Sequence, residues 1–171
     1  DNYFTGTKDN HIDGVEYINV STNNISNCFF PFKPDIVFHL GEYSRVEQSF
    51  EDFERVWEYN IHGTKQVLEF CLNNKCKLVY AGSSTKYADQ TDGYIQSPYA
   101  WTKAANTELV KRYGDWFGLD YAITYFYNVY GPREISTGKY ATLIAKYKQK
   151  MNEDLPLPVV LPGEQRRNFT H

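Results

Sequence analysis

A tyrosine and a lysine four residues apart are the residues of this chain best suited to chemistry. Tyr99 and Lys103 lie in the stretch SPYAWTK, and on a helix this spacing puts both side chains on one face, with Cβ atoms roughly 5–6 Å apart. A free phenol titrates near ~10, but a neighbouring ammonium favours the phenolate. A serine-rich segment, Leu78–Thr85, could supply a second hydroxyl. Such a tyrosine can take a proton from an alcohol while hydride leaves its carbon, so the pair predicts reversible alcohol oxidation.

The same spacing also arises by chance, because the chain has 15 tyrosines. In that interpretation Tyr99 is an ordinary residue of a helix. Whether the pair is catalytic therefore has to be judged from the predicted elements around it.

Strands and helices are predicted to alternate along the chain. Apolar residues recur with a helical period in Phe50–Asn74, and a second helix is predicted for Pro98–Phe117, ended by Gly118. Strands are predicted at Val15–Val20, Asp35–Leu40, Lys77–Ala81, Asp120–Tyr127 and Val159–Leu161. The second of these is compact and apolar, as a buried parallel strand would be. The last follows a proline-rich loop. This order predicts an α/β fold with a doubly wound parallel sheet.

Ligands of such sheets bind beyond the carboxyl ends of the strands. The polar or small residues that follow the predicted strands are Leu40–Glu42, Ser83–Thr85 and Asn128. The candidate site is therefore expected at that edge of the sheet.

Six segments in a fixed order carry a resemblance to a known family. They are Asp35–Gly41, Asn60–Thr64, the serine strand, Tyr-x-x-x-Lys, Tyr127–Arg133 and Gly163–His171. In these segments the chain resembles the NAD-dependent epimerase/dehydratase family, the extended short-chain dehydrogenases that act on nucleotide sugars, and within it the UDP-glucose 4-epimerases.

The resemblance implies a Rossmann-like domain that the chain contains only in part. Residues 1–133 are expected to belong to the NAD-binding domain, without its first strand, Gly-rich turn and second strand, and residues 134–171 to begin the substrate-binding region. The chain is thus expected to be an internal piece of a longer protein.

The resemblance also implies the catalytic residues Ser83, Tyr99 and Lys103. The family serine or threonine lies four residues before a tyrosine, and Tyr87 places it at Ser83. A serine that only caps a turn is the alternative interpretation, more plausible for Ser84 or Thr85. The implied reaction is 4-epimerisation of a UDP-hexose (UDP-glucose/UDP-galactose or the N-acetyl analogues), by transient oxidation at C4 with NAD as cofactor.

Further binding residues follow from the same resemblance. Those expected to bind the cofactor, besides Tyr99 and Lys103, are Asp1, Asn2, Leu40, Gly41, Glu42, Asn60 and Phe126. Those expected to bind the substrate are Ser83, Ser84, Asn128 and Arg167. Arg166 or Arg167 could instead be a solvated charge, and Asn60 a structural hydrogen-bonding residue.

Some residues depart from the family pattern. Ser21, Glu42, Tyr125 and Asn168 replace residues usual in the family. Family dehydratases carry Asp-Glu directly after the catalytic hydroxyl, where this chain has Ser84 and Thr85, which favours epimerisation over 4,6-dehydration.

Two other functions stay open. An NADPH-dependent nucleotide-sugar reductase would use the same three residues, although Asp1 would repel a 2′-phosphate. A non-catalytic binding or regulatory module of the same fold is the alternative from another class, and the presence of all three catalytic residue types argues against it.

Composition and charge limit the kinds of partner and compartment expected for this chain. The net charge of −3 gives no broad basic field for nucleic acid or for a membrane surface, and no run approaches the ~18 apolar residues of a membrane span. Three cysteines without Cys-x-x-Cys spacing and four scattered histidines indicate a reducing compartment, taken as the cytoplasm, and no metal site. The resemblance implies a homodimer formed through the two long helices.

Overall fold

A three-stranded sheet with long helices beside it forms the centre of the computed structural model, which describes residues 1–28, 32–84, 97–159, 161–164 and 166–171. The strand order is β1 (Ile36–His39), β2 (Lys77–Ser83) and β3 (Tyr121–Phe126). β1 and β2 run parallel, with Ile36 opposite Lys77 and His39 opposite Tyr80. The predicted parallel sheet with intervening helices is confirmed.

One long helical stretch connects β1 to β2. It consists of α1 (Phe53–Val56), a π-helical segment (Trp57–His62) and α2 (Gly63–Asn74). The backbone stays in the right-handed helical region at both junctions, and Lys75 ends α2 with a left-handed φ of 53°. The helix predicted from Phe50 is confirmed, with its start three residues later.

The second predicted helix is confirmed at both ends. α3 covers Pro98–Phe117 and ends at Gly118, whose φ of 70° is left-handed. Glycine adopts this conformation without the steric cost that a Cβ would add.

The core lies between these helices and one face of β2. It consists of Val67, Leu68, Phe70, Cys71, Cys76, Leu78, Tyr80, Val110, Tyr113 and Leu119. Side chains alternate between the two faces of a strand, so neighbouring residues of β1 differ: His39 is buried, whereas Ile36 is 47% and Phe38 65% exposed. The parallel strand predicted at Asp35–Leu40 is therefore confirmed as Ile36–His39, but the expectation that it is buried is wrong for Ile36 and Phe38.

Shorter segments precede and follow β1. The 3₁₀ helices are Lys8–Asn10, Thr22–Asn27 and Glu47–Ser49. The strand predicted at Val15–Val20 is wrong, because this segment is irregular and largely exposed. The Val20 N–H donates to the Asp1 carbonyl and the Asp1 amino group to the Ile18 carbonyl, both at 3.1 Å. The Tyr17 hydroxyl accepts the Ile12 N–H at 2.9 Å.

The chain divides into two compact units, residues 1–125 and 126–171. In the second unit, α4 (Leu143–Asn152) was not predicted; its cap is Thr142, whose hydroxyl accepts the Ala145 N–H at 3.4 Å. Val129 and Thr170 form an isolated parallel bridge. The strand predicted at Val159–Leu161 includes Val160, which lies outside the described residues. The functional division after residue 133 stays a prediction.

None of the helices in the described ranges combines the length and the apolar character needed to cross a membrane.

Candidate active site

The end of β2 and the first turn of α3 bring two hydroxyl groups together. Ser83 is the last residue of β2 and is buried, whereas Tyr99 is half-buried. The Tyr99 phenol donates a hydrogen bond to Ser83 Oγ across 3.1 Å. The structure thus pairs the two hydroxyls that the sequence singled out, although they are 16 residues apart in the chain.

The residues before Tyr99 fix the start of α3. Ser97 caps the helix, and its hydroxyl accepts the Ala100 N–H at 3.1 Å. Pro98 occupies the first turn, where the missing N–H of proline would be unpaired in any case. The cap therefore sets which residues of α3 face Ser83.

Lys103 follows one turn later, and its side chain is 7% exposed. Its ammonium donates to the Ala81 carbonyl in β2 and to Glu42 Oε2 in the loop after β1. The nitrogen also lies 4.7 Å from the centre of the Tyr80 ring, within the range of a cation–π interaction. Lys103 is thus held by the strand and the loop.

The partner of Lys103 is a buried carboxylate. The Glu42 side chain is 4% exposed. Its Oε1 accepts hydrogen bonds from Thr64 at 2.8 Å, from Asn106 at 2.7 Å and from Tyr80 at 3.2 Å. The resemblance placed Glu42 among the cofactor-binding residues and also marked it as a departure from the family pattern. Its pairing with Lys103 was not predicted, and its contact with the cofactor stays a prediction.

His39 completes this network from β1. Its Nε2 lies 3.0 Å from Thr64 Oγ1, and Thr64 donates its own proton to Glu42. A hydroxyl has one proton and two lone pairs. Thr64 therefore accepts from His39 with a lone pair, and the His39 proton must lie on Nε2.

The buried charges shift the pKa values of the group. Burial raises the pKa of Glu42, but Lys103 and His39, with hydrogen bonds from Lys103 and Thr64, together bring it below its ordinary value. Burial lowers the pKa of His39, and Lys103 lowers it further against the opposing effect of Glu42. Burial, followed by the charge of Glu42, raises the pKa of Tyr80. Near pH 7 the carboxylate is charged, and the imidazole and the Tyr80 phenol are neutral.

Asn60, predicted to contact the cofactor, is fully buried in the π-helical segment. Its amide oxygen accepts the Tyr43 N–H at 2.7 Å, and its nitrogen donates to the Tyr43 carbonyl at 3.3 Å and to Thr102 Oγ1 at 2.9 Å. It therefore ties the loop after β1 to α3. Contact with the cofactor stays a prediction.

Arg45 is a second cation near Tyr99 that the sequence analysis missed. Burial lowers the pKa of its guanidinium, and the phenols of Tyr99 and Tyr43 oppose this shift. The guanidinium also donates to the Ser44 carbonyl at 3.0 Å and to the Ser44 hydroxyl at 3.1 Å. No sequence signal distinguished Arg45 from a surface arginine.

Asp1 and Asn2, which were predicted to bind the cofactor, are exposed. The Asp1 carboxylate accepts the Tyr3 N–H at 2.6 Å, and the Asn2 amide oxygen accepts the Phe4 N–H at 3.2 Å. Both side chains stabilise the local turn.

Leu40 and Gly41 follow β1 and are exposed. Among the residues that the structure describes, a Cβ placed on Gly41 would meet only the Thr22 methyl at 3.5 Å, an ordinary contact. The described residues thus leave the space above Gly41 open, as the predicted close approach of a ligand requires.

Three predicted residues belong to the second unit, and all are exposed. Phe126 ends β3. Asn128 has a left-handed φ of 36°, and its amide donates to the Asn168 carbonyl at 2.7 Å. Arg167 donates to the carbonyl of Arg166 at 3.1 Å. Their predicted roles are not tested by these contacts.

Ser84 is half-buried, while Thr85 and Tyr87 lie outside the described residues. Within the described part of the chain, no three His, Cys, Asp or Glu residues are grouped so as to hold a metal ion.

Comparison with known proteins identifies relatives over almost the whole chain. The model of the NAD dependent epimerase/dehydratase family matches residues 4–171. The dTDP-D-glucose 4,6-dehydratase of Dictyostelium discoideum is 33% identical over 167 residues, which cover 86% of this chain and 38% of that protein. The UDP-glucuronate 4-epimerase of Thermodesulfobacterium geofontis is 30% identical over 159 residues, covering 86% of this chain and 47% of that protein.

A solved structure shares the fold. The UDP-glucose 4-epimerase of Thermus thermophilus in complex with NAD is 27% identical, with a TM-score of 0.81 over 98% of this chain and 60% of that one. The chain spans less than half the length of the two curated relatives. The relatives include an epimerase and a dehydratase at similar identity, so the comparison shows the family and does not select one reaction.

Proposed function

Because the chain belongs to the NAD dependent epimerase/dehydratase family, we propose that it carries the catalytic residues of an NAD-dependent nucleotide-sugar 4-epimerase. The observation that carries the proposal is the hydrogen bond from Tyr99 to Ser83, with Lys103 one helical turn away. In this proposal residues 1–133 belong to the NAD-binding domain and residues 134–171 to the substrate-binding region.

The residues on the unit 1–125 are compatible with NAD. An ammonium has three N–H donors, and the described partners of Lys103, Glu42 and the Ala81 carbonyl, use two of them. The third can serve a ribose hydroxyl of the cofactor. The open space above Gly41 allows the cofactor to approach the backbone. When bound, NAD supplies the acceptor for the hydride that leaves C4 and returns it to C4.

Tyr99 and Ser83 act on the C4 oxygen of the sugar. Tyr99 takes the proton of the 4-hydroxyl and later gives it back to the oxygen, so it acts first as general base and then as general acid. Ser83 donates a hydrogen bond to the same oxygen and stabilises its partial negative charge. The reaction needs no external oxidant, because the hydride removed is the hydride returned.

The nucleotide and the sugar are assigned by resemblance. Asn128 and Arg167 bind the diphosphate, since a guanidinium matches phosphate oxygens in pairs, and Ser84 contacts the sugar. Asp1, Asn2, Leu40, Gly41, Asn60 and Phe126 line the cofactor, and Glu42, also expected there by resemblance, has a buried carboxylate and reaches the cofactor only through Lys103. The substrate is a UDP-hexose, UDP-glucose/UDP-galactose or an N-acetyl analogue.

We also propose that the protein works in the cytoplasm as a homodimer formed through the two long helices. On these helices Phe53 is 46% and Trp101 42% exposed. The rings of Trp57 and Trp101 stack with centres 5.6 Å apart. These aromatic side chains supply apolar area that a second copy could cover.

A 4,6-dehydratase is the second candidate, because a dehydratase is among the relatives at 33% identity. Elimination of water between C5 and C6 needs an acid and a base. The residues directly after Ser83 are Ser84 and Thr85, and neither side chain can act as a carboxylic acid. Epimerisation needs only the three residues already described.

The test is proton NMR of UDP-glucose and UDP-N-acetylglucosamine incubated with the natural-length protein and NAD. We expect anomeric signals of the galacto sugars to appear, to vanish in Tyr99→Phe, and to persist in Tyr113→Phe, a matched control on the same helix. Signals of a 4-keto-6-deoxy sugar would instead establish the dehydratase. Unchanged spectra with folded, NAD-binding protein would rule out 4-epimerisation of these two sugars.

A further inference from the structure

Glu42 joins the loop after β1 to Lys103, and we propose that it is a positioning residue for the catalytic lysine. The inference rests on the proposed function, since it concerns how Lys103 is placed for that reaction. Glu42 touches neither hydroxyl of the Tyr99–Ser83 pair in any described contact, so it acts through Lys103.

The two oxygens of the Glu42 carboxylate have separate roles. Oε1 accepts from Thr64 of α2, Asn106 of α3 and Tyr80 of β2. Oε2 faces the Lys103 ammonium. Three donors on three different elements therefore fix the orientation of the carboxylate, and the other oxygen is left to hold the lysine.

Burial makes this arrangement necessary. Both side chains are less than a tenth exposed, and a charge taken out of water is strongly disfavoured unless it is paired and hydrogen-bonded. The Ala81 carbonyl offers Lys103 a dipole but no charge. Glu42 is the one anionic partner within salt-bridge distance of Lys103 among the described residues.

The donors of Glu42 are themselves fixed. The Asn106 nitrogen also donates to the Asn60 carbonyl at 2.8 Å, and Thr64 accepts from His39 in β1. The position of the lysine is therefore set by β1, β2, α2, α3 and the π-helical segment together. A shift of the carboxylate would move the ammonium that lies one turn from Tyr99.

The experiment compares Glu42→Gln and Glu42→Asp with wild type in the natural-length protein. Glu108→Gln is the matched control, because Glu108 is a half-exposed α3 residue that pairs with Arg112. We expect Glu42→Gln to lower kcat about 100-fold, as for a reacting group misplaced by about 1 Å, with KM for the nucleotide sugar unchanged. Glu42→Asp, which keeps the charge, should recover part of the loss.

Reductive methylation followed by mass spectrometry gives a readout that does not depend on turnover. Lys103 should resist modification in wild type and in Glu108→Gln and become reactive in Glu42→Gln. Lys65, whose side chain is 53% exposed, should react in every variant and calibrate the reagent.

Tyr80→Phe covers the case in which Glu42→Gln does not fold, because it removes one donor to Oε1 and no charge. We expect a smaller fall in kcat and partial loss of Lys103 protection. The proposal would be overturned if folded Glu42→Gln had the kcat of wild type and kept Lys103 fully protected. If Glu42→Gln is unfolded, the same result in Tyr80→Phe would overturn it. If wild type lacks epimerase activity, the proposed function fails, and the methylation pattern still decides whether Glu42 holds Lys103.

Discussion

The Asn60 amide donates to the Thr102 hydroxyl across 2.9 Å, and this bond joins the π-helical segment to α3 between Tyr99 and Lys103. Thr102 also donates to the Tyr99 carbonyl at 2.9 Å. The bond therefore supports the turn of α3 that carries both proposed catalytic side chains.

Replacing Asn60 by leucine should destabilise the protein strongly. The variant keeps the approximate size of the side chain but removes its hydrogen bonds to the Tyr43 N–H, the Tyr43 carbonyl and the Thr102 hydroxyl, at about 0.5–1.5 kcal/mol for each bond. Urea unfolding followed by circular dichroism measures the loss. Asn73→Leu, at an exposed position of α2, is the control; an equal effect of both variants would contradict the role of Asn60.

The Glu42–Lys103 pair should make stability sensitive to acid. The folded-state pKa of Glu42 is lower than its ordinary value of 4.5, so the stabilisation is complete above about pH 5 and is lost as pH falls through the folded pKa. At pH 7, Glu42→Gln should be less stable by about 3–5 kcal/mol, the cost of breaking a buried pair.

Urea unfolding of wild type and Glu42→Gln between pH 7 and pH 3 measures this dependence. The gap in unfolding free energy between the two proteins should narrow only in the acid range. A gap that stays constant to pH 3, or an equal effect in Glu108→Gln, would contradict the lowered pKa of Glu42.

His39 should contribute a separate pH dependence nearer neutrality. Its folded pKa is lower than the ordinary 6.5, so below about pH 6.5 the unfolded chain binds a proton that the folded chain does not. As the pH is lowered below about 6.5, the free energy of unfolding should therefore decrease by up to about 1.4 kcal/mol per pH unit, until the folded-state pKa of His39 is reached.

His39→Gln, which retains a donor near the position of Nε2, should reduce this slope between pH 6.5 and pH 5. His62→Gln, at an exposed position, should leave it unchanged. Equal slopes in wild type and His39→Gln would show that another group titrates there.

Gly82 should tolerate a side chain poorly. A Cβ at this position would lie 2.8 Å from Tyr125 Cε1, closer than real Cβ contacts, and 3.0 Å from Ile123 Cγ2. Gly82→Ala therefore requires the Tyr125 ring, or β3 as a whole, to shift. We expect a loss of about 1–3 kcal/mol, typical of overpacking, and reduced activity because Ser83 is the next residue. Thermal unfolding measures the loss of stability, with Gly131→Ala as control, since its Cβ would meet no atom of the described residues within 4 Å.

Local signals explain where prediction from the sequence succeeded. Ser97-Pro98 and Gly118 mark the two ends of α3, and the i, i+4 spacing of Tyr99 and Lys103 follows from the helix itself. The alternation of strands and helices predicted the parallel sheet for the same reason, because periodicity is a property of each segment alone.

Prediction failed where an element depends on distant partners. Val15–Val20 has a strand-like composition, but a strand forms only where another strand pairs with it, and the segment is irregular. The apolar run before Leu40 was expected to be buried on both sides, yet Phe38 is exposed, because burial depends on what packs on each face.

The sequence by itself determined the family, the helix carrying Tyr99 and Lys103, and the serine strand beside it. Only the tertiary structure decided which hydroxyl meets Tyr99 and which group holds Lys103. Glu42 and Lys103 are 61 residues apart, and no local pattern encodes that a loop after one strand turns its carboxylate toward a helix. Such a buried charge pair exists only when several elements together exclude water and supply its hydrogen bonds.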